Sequence, residues 1–275
     1  MERQELEYYK SQNYLFENLR RFDNPNIQEY QDILNEIRAT PIYKFMNLEY
    51  VVSMILSKTL WIGKVSEWDD VYENILLKQN FYTGDEPIPV GVNSVSEKIF
   101  GQCWTSQPES DAMWRIYSPD KNSYAVRIKT TIGKLMDAAF VDYRAIPTVF
   151  VGEVSYVDNA TISRVLSNYV QNGLNLRSTM LEFANLLLLK RKEFEHENEI
   201  RLIIAESTGF LPNHIELPIN PELFIDEITL DSRIKPGSMK EFIYRSALSS
   251  TGFSSAKINR SSLYDLPAPV DIKII

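Results

Sequence analysis

Two glutamates one residue apart, Glu197 and Glu199, are the strongest candidates for chemistry in this sequence. They stand where a polar run ending at Asn198 gives way to the largely apolar stretch Glu-Ile-Arg-Leu-Ile-Ile-Ala, residues 199–205. In an extended segment residues two apart point to the same side, so both carboxylates are expected to face one cleft. Such a pair divides labour. One carboxylate holds a sugar hydroxyl or stabilises a developing cation, and the other accepts a proton from an attacking nucleophile. The competing reading is a solvated acidic stretch, since Glu193, Glu195, Glu197 and Glu199 alternate and Arg201 offers a partner on the same side.

Three further groups could serve a ligand. Cys103-Trp104-Thr105-Ser106 puts two adjacent hydroxyls at a strand end, fit to hold a carboxamide or phosphate, although Ser and Thr also serve turns and caps. In Met113-Trp114-Arg115-Ile116-Tyr117, either Trp114 or Tyr117 could stack on an aromatic ligand or pack in the core. Tyr43-Lys44-Phe45 sets a cation on an early strand, between two aromatics that face the other way, where Lys44 could meet a phosphate. Asp69, Asp70 and Glu73 gather three carboxylates that could bind Mg²⁺, as a metal-dependent phosphodiesterase or nuclease requires. Acidic turn residues also cap helices or stay solvated.

The elements that must position these residues follow from periodicity. Apolar residues at helical spacing predict two helices in the first forty residues, broken at Asp23-Asn24-Pro25-Asn26, and an amphipathic helix over 48–57. Strands are predicted over 42–45, 59–62, 100–106, 123–129, 149–156, 199–205, 215–219, 225–230 and 270–275. Residues 83–94 read as a loop, 111–117 and 241–248 as helices, and about 160–192 as one long helical region. Strands grouped between helices without regular βαβ alternation indicate an α+β fold. Neither a Gly-x-Gly-x-x-Gly nor a Gly-x-x-x-x-Gly-Lys loop is present, which removes the usual support for Rossmann or P-loop chemistry.

Composition narrows the classes. The 275 residues suit one elaborated domain, and 44% hydrophobic with 12% aromatic residues argues against extensive disorder. A single cysteine, Cys103, excludes an internal disulfide framework and Cys-rich zinc sites, and His196 and His214 offer little for a His-based metal centre, so no metal is expected. The polar, acidic start and the short apolar blocks imply a cytoplasmic protein with no membrane role. A net charge of −8 disfavours broad electrostatic capture of nucleic acid, while Lys190, Arg191, Lys192 and Arg115 could still form a local basic strip.

Taken in order, several blocks resemble a bacterial domain-of-unknown-function family. They are Tyr43-Lys44-Phe45, Ile55-Leu56, Leu60-Trp61, Trp68 to Glu73, Cys103 to Ser106, Met113-Trp114 with Tyr117, and Phe194 with Glu197, Glu199 and Arg201. The arrangement also looks like the ADP-ribosyltransferase plan. There a basic residue on an early strand, a Ser-Thr-Ser-type strand end and a Glu-x-Glu on a later strand surround NAD. The resemblance implies an α+β fold with a mixed or antiparallel sheet core, surrounding helices, an N-terminal helical extension over 1–40 and a single domain over 41–275. It implies Glu199 and Glu197 as catalytic residues and NAD as substrate, with Lys44, Tyr43, Thr105, Ser106, Trp114, Tyr117 and Arg201 around it. Glu199 would hold the nicotinamide ribose and Glu197 would face a macromolecular acceptor, protein or nucleic acid. A bacterial toxin or anti-phage effector, with an antitoxin partner, fits that implication. Lys44 stands where that class has Arg, and Trp104 where it has Ser, so a non-catalytic nucleotide- or peptide-binding module is the alternative. Convergence of Lys44, Ser106 and Glu199 on one cleft is the structural expectation that separates these readings.

Overall fold

Every residue of the stretch Glu199–Ala205 is buried, because it lies between two other strands and is covered on both faces. The computed structural model describes residues 14–17, 28–68, 70, 72, 73, 75, 82, 83, 86, 87, 97–120, 124–141, 148–172, 184–206, 212–268 and 270. Its first half runs β1 (Tyr14–Glu17), α1 (Gln28–Ala39), β2 (Pro41–Asn47), α2 (Leu48–Ser57), β3 (Thr59–Lys64), then the two-residue strands β4 (Tyr82–Thr83) and β5 (Glu86–Pro87). Next come β6 (Ile99–Thr105), α3 (Asp111–Tyr117), β7 (Ala125–Thr131), α4 (Ile132–Val141), β8 (Thr148–Glu153), β9 (Ser155–Val157) and α5 (Asn159–Asn172). The chain continues through β10 (Leu189–Arg191), β11 (Glu199–Ala205), β12 (His214–Pro218), α6 (Pro221–Phe224), β13 (Glu227–Leu230), α7 (Met239–Ser250) and β14 (Ile258–Arg260).

The fold is α+β around one mostly antiparallel sheet, ordered β1-β8-β11-β6-β2-β7-β13-β14, with β3 joined to both β6 and β12. Alternation along the strands divides its side chains between two faces. Ile200, Leu202 and Ile204 of β11 join Phe100, Trp104, Val149 and Val151 in the main core, which Ile37 of α1, Val51 and Met54 of α2, Leu135 of α4 and Leu248 of α7 also enter. Ile203, from the alternate positions, packs instead with Val65, Ile99, Phe150, Leu187 and Leu188. Glu199 and Arg201 therefore belong to this second face, which Leu166 of α5, Trp68 and Tyr156 also pack against.

Strand β6 is forked. One edge pairs with β11 along its whole length, from Glu199 opposite Thr105 to Ala205 opposite Ile99. The other edge is shared: β3 takes Phe100 and Gly101, and β2 takes only Thr105. Side chains close the gap between them. Gln102 donates from Nε2 to the Trp61 carbonyl at 2.8 Å and accepts from Trp104 Nε1 at 2.9 Å, and Lys44 Nζ donates to the Cys103 carbonyl at 2.8 Å.

Three expectations change. The stretch carrying Phe16 is not helical: Tyr14–Glu17 forms a strand that pairs with β8, because the sheet edge offers hydrogen bonds that outweigh local periodicity. The long helical region stops early, and Leu189–Arg191 is a strand parallel to β9. Strand 149–156 is divided at Val154 between β8 and β9. The predicted strand over 270–275 and most of the loop at 83–94 fall outside the described residues. No helix among the described residues is long and apolar enough to cross a membrane.

Gly101 has a steric role. A Cβ there would stand 2.5 Å from the Trp68 ring, which covers the Arg201 guanidinium at 4.6 Å. Gly101→Ala should cost about 1–3 kcal/mol by overpacking, read as a lower urea midpoint at unchanged slope; an unchanged midpoint would show that Trp68 moves freely.

Candidate active site

The register of three adjacent strands builds the floor of the site. Tyr43 on β2 lies opposite Thr105 on β6, and Thr105 lies opposite Glu199 on β11, so the three form one rung across the sheet. Above that rung is a cavity of about 50 Å³ lined by Tyr43, Lys44, Thr105, Glu197, Glu199 and Tyr117, with Phe45, Cys103, Trp104, Met113 and Ile116 completing the wall. At roughly 10–15 Å³ per water, it has room for about three to five waters.

The two glutamates do converge, for a different reason from the one expected. Glu197 closes a 3₁₀ turn, Lys192–Glu197, and Asn198 then adopts φ 43° and ψ 55° before the strand begins at Glu199. A left-handed residue, not an extended one, brings the carboxylates together, and Asn tolerates that region better than most residues. Three bonds fix it. The Asn198 carbonyl accepts the Ser106 N–H at 3.0 Å and the Ser106 hydroxyl at 3.3 Å, and Asn198 Nδ2 donates to Gln107 Oε1 at 3.0 Å.

Beneath the glutamates is a network of buried charges. Arg201, fully buried, donates from Nε to Glu199 Oε2 at 2.6 Å, from Nη1 to the Leu187 carbonyl at 2.6 Å and from Nη2 to Glu73. Lys190 Nζ lies 2.6 Å from Glu199 Oε1, 2.6 Å from Glu197 Oε2 and 3.1 Å from Glu73 Oε1. Tyr156 adds a backbone anchor, its hydroxyl accepting the Glu199 N–H at 2.8 Å. Charges taken out of water are costly unless paired and hydrogen-bonded, so each member depends on the others.

This network makes the two carboxylates unlike. Burial opposes ionisation of Glu199, but Arg201, the hydrogen bond from Glu197 and Lys190 outweigh it and hold the carboxyl well below the usual range. Burial and the hydrogen bond shared with Glu199 push Glu197 up to about 7, against the pull of Lys190. Burial also lowers Lys44 and raises Cys103 to about 12, which leaves that thiol protonated and inert.

The remaining candidates divide. Lys44, Thr105 and Glu199 share the cavity, whereas Ser106 does not line it and instead supports Asn198. Tyr117 stands at the cavity, 44% exposed and stacked on Phe45 with centroids 6.0 Å apart. Trp114 has no face for a ligand: it is fully buried, edge-on to Phe45 at 4.8 Å, with Nε1 donating to Glu109 at 2.6 Å. Arg201 likewise lies behind Glu199 and holds it instead of reaching a ligand. Glu73 is committed to Arg201 and Lys190, and Asp70 to Arg191 at 3.1 Å, so these acids do not form a metal cluster; Asp69 falls outside the described residues. Among the described residues no group of three His, Cys, Asp or Glu side chains could hold a metal ion.

Sequence reasoning missed Lys190, Tyr156 and the structural duty of Glu73. Lys190 reads as part of a solvated basic run, and only the parallel pairing of β9 with β10, a long-range contact without local signature, turns it inward.

No family model matches this sequence, and no curated protein matches it. Among solved structures the chain is similar to Thermus sp. 2.9 DarT in complex with NAD+, at 9% identity and a TM-score of 0.37 over 81% of this chain and 95% of that one. It is similar at 10% identity and 0.36 to the same protein in complex with ADP-ribosylated ssDNA, over 81% and 94%. The complex with carba-NAD+ gives 9% and 0.36 over 80% and 94%. Likenesses of this size settle neither site nor substrate, which rest on the side chains themselves.

The shifted pair has a consequence for stability. Glu197 holds its proton more tightly when folded, with a value near 7 against 4.5 for the free side chain, so its contribution is full below 4.5 and is lost as pH rises through about 7. The wild type should therefore lose stability relative to Glu197→Gln across that window. Urea midpoints of both proteins over the range test this, and a constant difference would contradict it.

Proposed function

We propose that this protein is an ADP-ribosyltransferase-like enzyme that transfers ADP-ribose from NAD to a macromolecular acceptor. One observation carries the reading: a cation-held, ionised carboxylate and a second carboxyl that changes proton near neutrality lie side by side in one cavity. That is the arrangement a glycosyl transfer through a cationic ribose needs.

In the proposed reaction the bond between C1′ of the nicotinamide ribose and the nicotinamide nitrogen breaks, and its electron pair leaves on nicotinamide. Positive charge develops on the ribose. The two Glu199 oxygens offer four lone-pair sites, of which Arg201, Lys190 and the hydrogen bond from Glu197 take three, so Glu199 can still accept a ribose hydroxyl while placing negative charge beside the cation. Glu197, with its side chain 22% exposed against 7% for Glu199, is open to the incoming group. Ionised, it takes the proton of the acceptor nucleophile as the new bond to C1′ forms, and a value near 7 suits that duty. Thr105 and Lys44 would meet polar groups of the substrate. Lys44 has two donors beyond the one given to Cys103. The cavity is small beside a dinucleotide, so Tyr117 and Ile116, both exposed at its wall, would turn aside as the reacting end enters.

Incubation with labelled NAD and lysate fractions tests the reading. Wild type should release nicotinamide and label an acceptor, and Glu199→Gln should lose about 100-fold or more of both, the scale of removing one transition-state electrostatic contact. No release and no label with any fraction would overturn it. The toxin or anti-phage setting, with an antitoxin partner, belongs to the same proposal: expression of wild type, but not of Glu199→Gln, should arrest bacterial growth in a plating assay.

A further inference from the structure

We propose that Lys190 is a positioning residue that clamps Glu197 against Glu199, so that its loss releases Glu197 from the cavity while leaving Glu199 in place. The geometry is asymmetric. Glu199 has two cationic partners, Arg201 on one oxygen and Lys190 on the other, and its backbone is fixed by the β11 ladder. Glu197 sits at the end of a 3₁₀ turn outside the sheet, and among the cations of the described residues Lys190 is the one that pairs with it, at 2.6 Å. Lys190 itself has little freedom: its side chain is 8% exposed, its three donors face three carboxylates, and the Phe194 ring lies 4.7 Å from Nζ.

The ionisable groups around Glu197 come from several elements. Lys190 stands on β10, Glu199 on β11, Tyr156 on β9, Tyr117 on α3 and Lys44 on β2. Arg201 and Glu73 lie one layer behind, and Glu195 and His196 on its own turn are exposed. Removing Lys190 from a rigid arrangement of these groups would take a favourable cation from Glu197 and raise its pKa further. Removing it from a clamp has the opposite sign, because a Glu197 freed into water returns toward an ordinary carboxyl value. The direction of the change therefore separates a clamp from a mere charge.

The experiment follows the glutamate carboxyls by ¹³C NMR during pH titration of the whole protein. Glu197→Gln identifies the resonance by its disappearance. Lys190→Met removes the clamp, and because that leaves unpaired buried charge, Lys190→Met with Glu73→Gln serves as a charge-balanced second variant. The expected result in either folded variant is a Glu197 midpoint that falls from about 7 toward the 4.5 of a free side chain. A midpoint that rises or stays overturns the proposal. For transfer the inference rests on the function proposed above: the variant should release nicotinamide while acceptor labelling falls at least about tenfold relative to that release. If wild type releases no nicotinamide, the transferase reading fails, and the carboxyl titration still decides the clamp.

Discussion

The buried charges of Glu73, Lys190, Glu199 and Arg201 are the constraint on which the second face of the sheet depends. Two cations and two carboxylates neutralise one another there, and Arg201 is covered by Trp68 and bonded to the Leu187 carbonyl. Taking such groups out of water costs several kcal/mol per ion before pairing, so a partial set is worse than none. A hydrophobic cluster would hold this face more cheaply. The arrangement lies where a fixed, ionised carboxylate meets the cavity.

From that constraint the chemistry of the pair follows. Glu199 cannot relax, because sheet, Arg201 and Lys190 all hold it, while Glu197 is held only from its own side. Two carboxyl groups in contact do not both ionise readily, so the proton stays on the less supported one. The site thus contains a firmly ionised carboxylate and a group able to exchange a proton, distinguished by the number of cations each can reach.

Much of this was legible in the sequence. The largely apolar run of residues 199–205 marks a central strand, and Lys44, Thr105 and the glutamates stand out by type and order. What could not be read came from contacts distant in the chain. Trp114 could be read as a stacking or a core residue, and the fold decides for the core by setting it edge-on to Phe45, while Lys190 read as part of a local basic strip until β9 paired with β10. Asn198 is the local failure: the segment leading into the apolar strand reads as extended, and the left-handed turn depends on bonds donated by Ser106 and accepted by Gln107, some ninety residues away. Tertiary hydrogen bonding overrode a short-range pattern there, as it did where Tyr14–Glu17 joined the sheet edge.

The fork in β6 gives the molecule mechanical character. Where one strand edge is shared by two others, the main-chain ladder is interrupted, and Gln102 and Lys44 bridge the interval through side-chain bonds. Such bonds can lengthen or exchange partners without unzipping a strand, so this seam is more compliant than a continuously paired one. The cavity sits against it, while the Glu199–Thr105–Tyr43 rung at its floor remains tied by backbone pairing. Motion along the seam would therefore alter the width of the cavity while Tyr43, Thr105 and Glu199 keep their spacing.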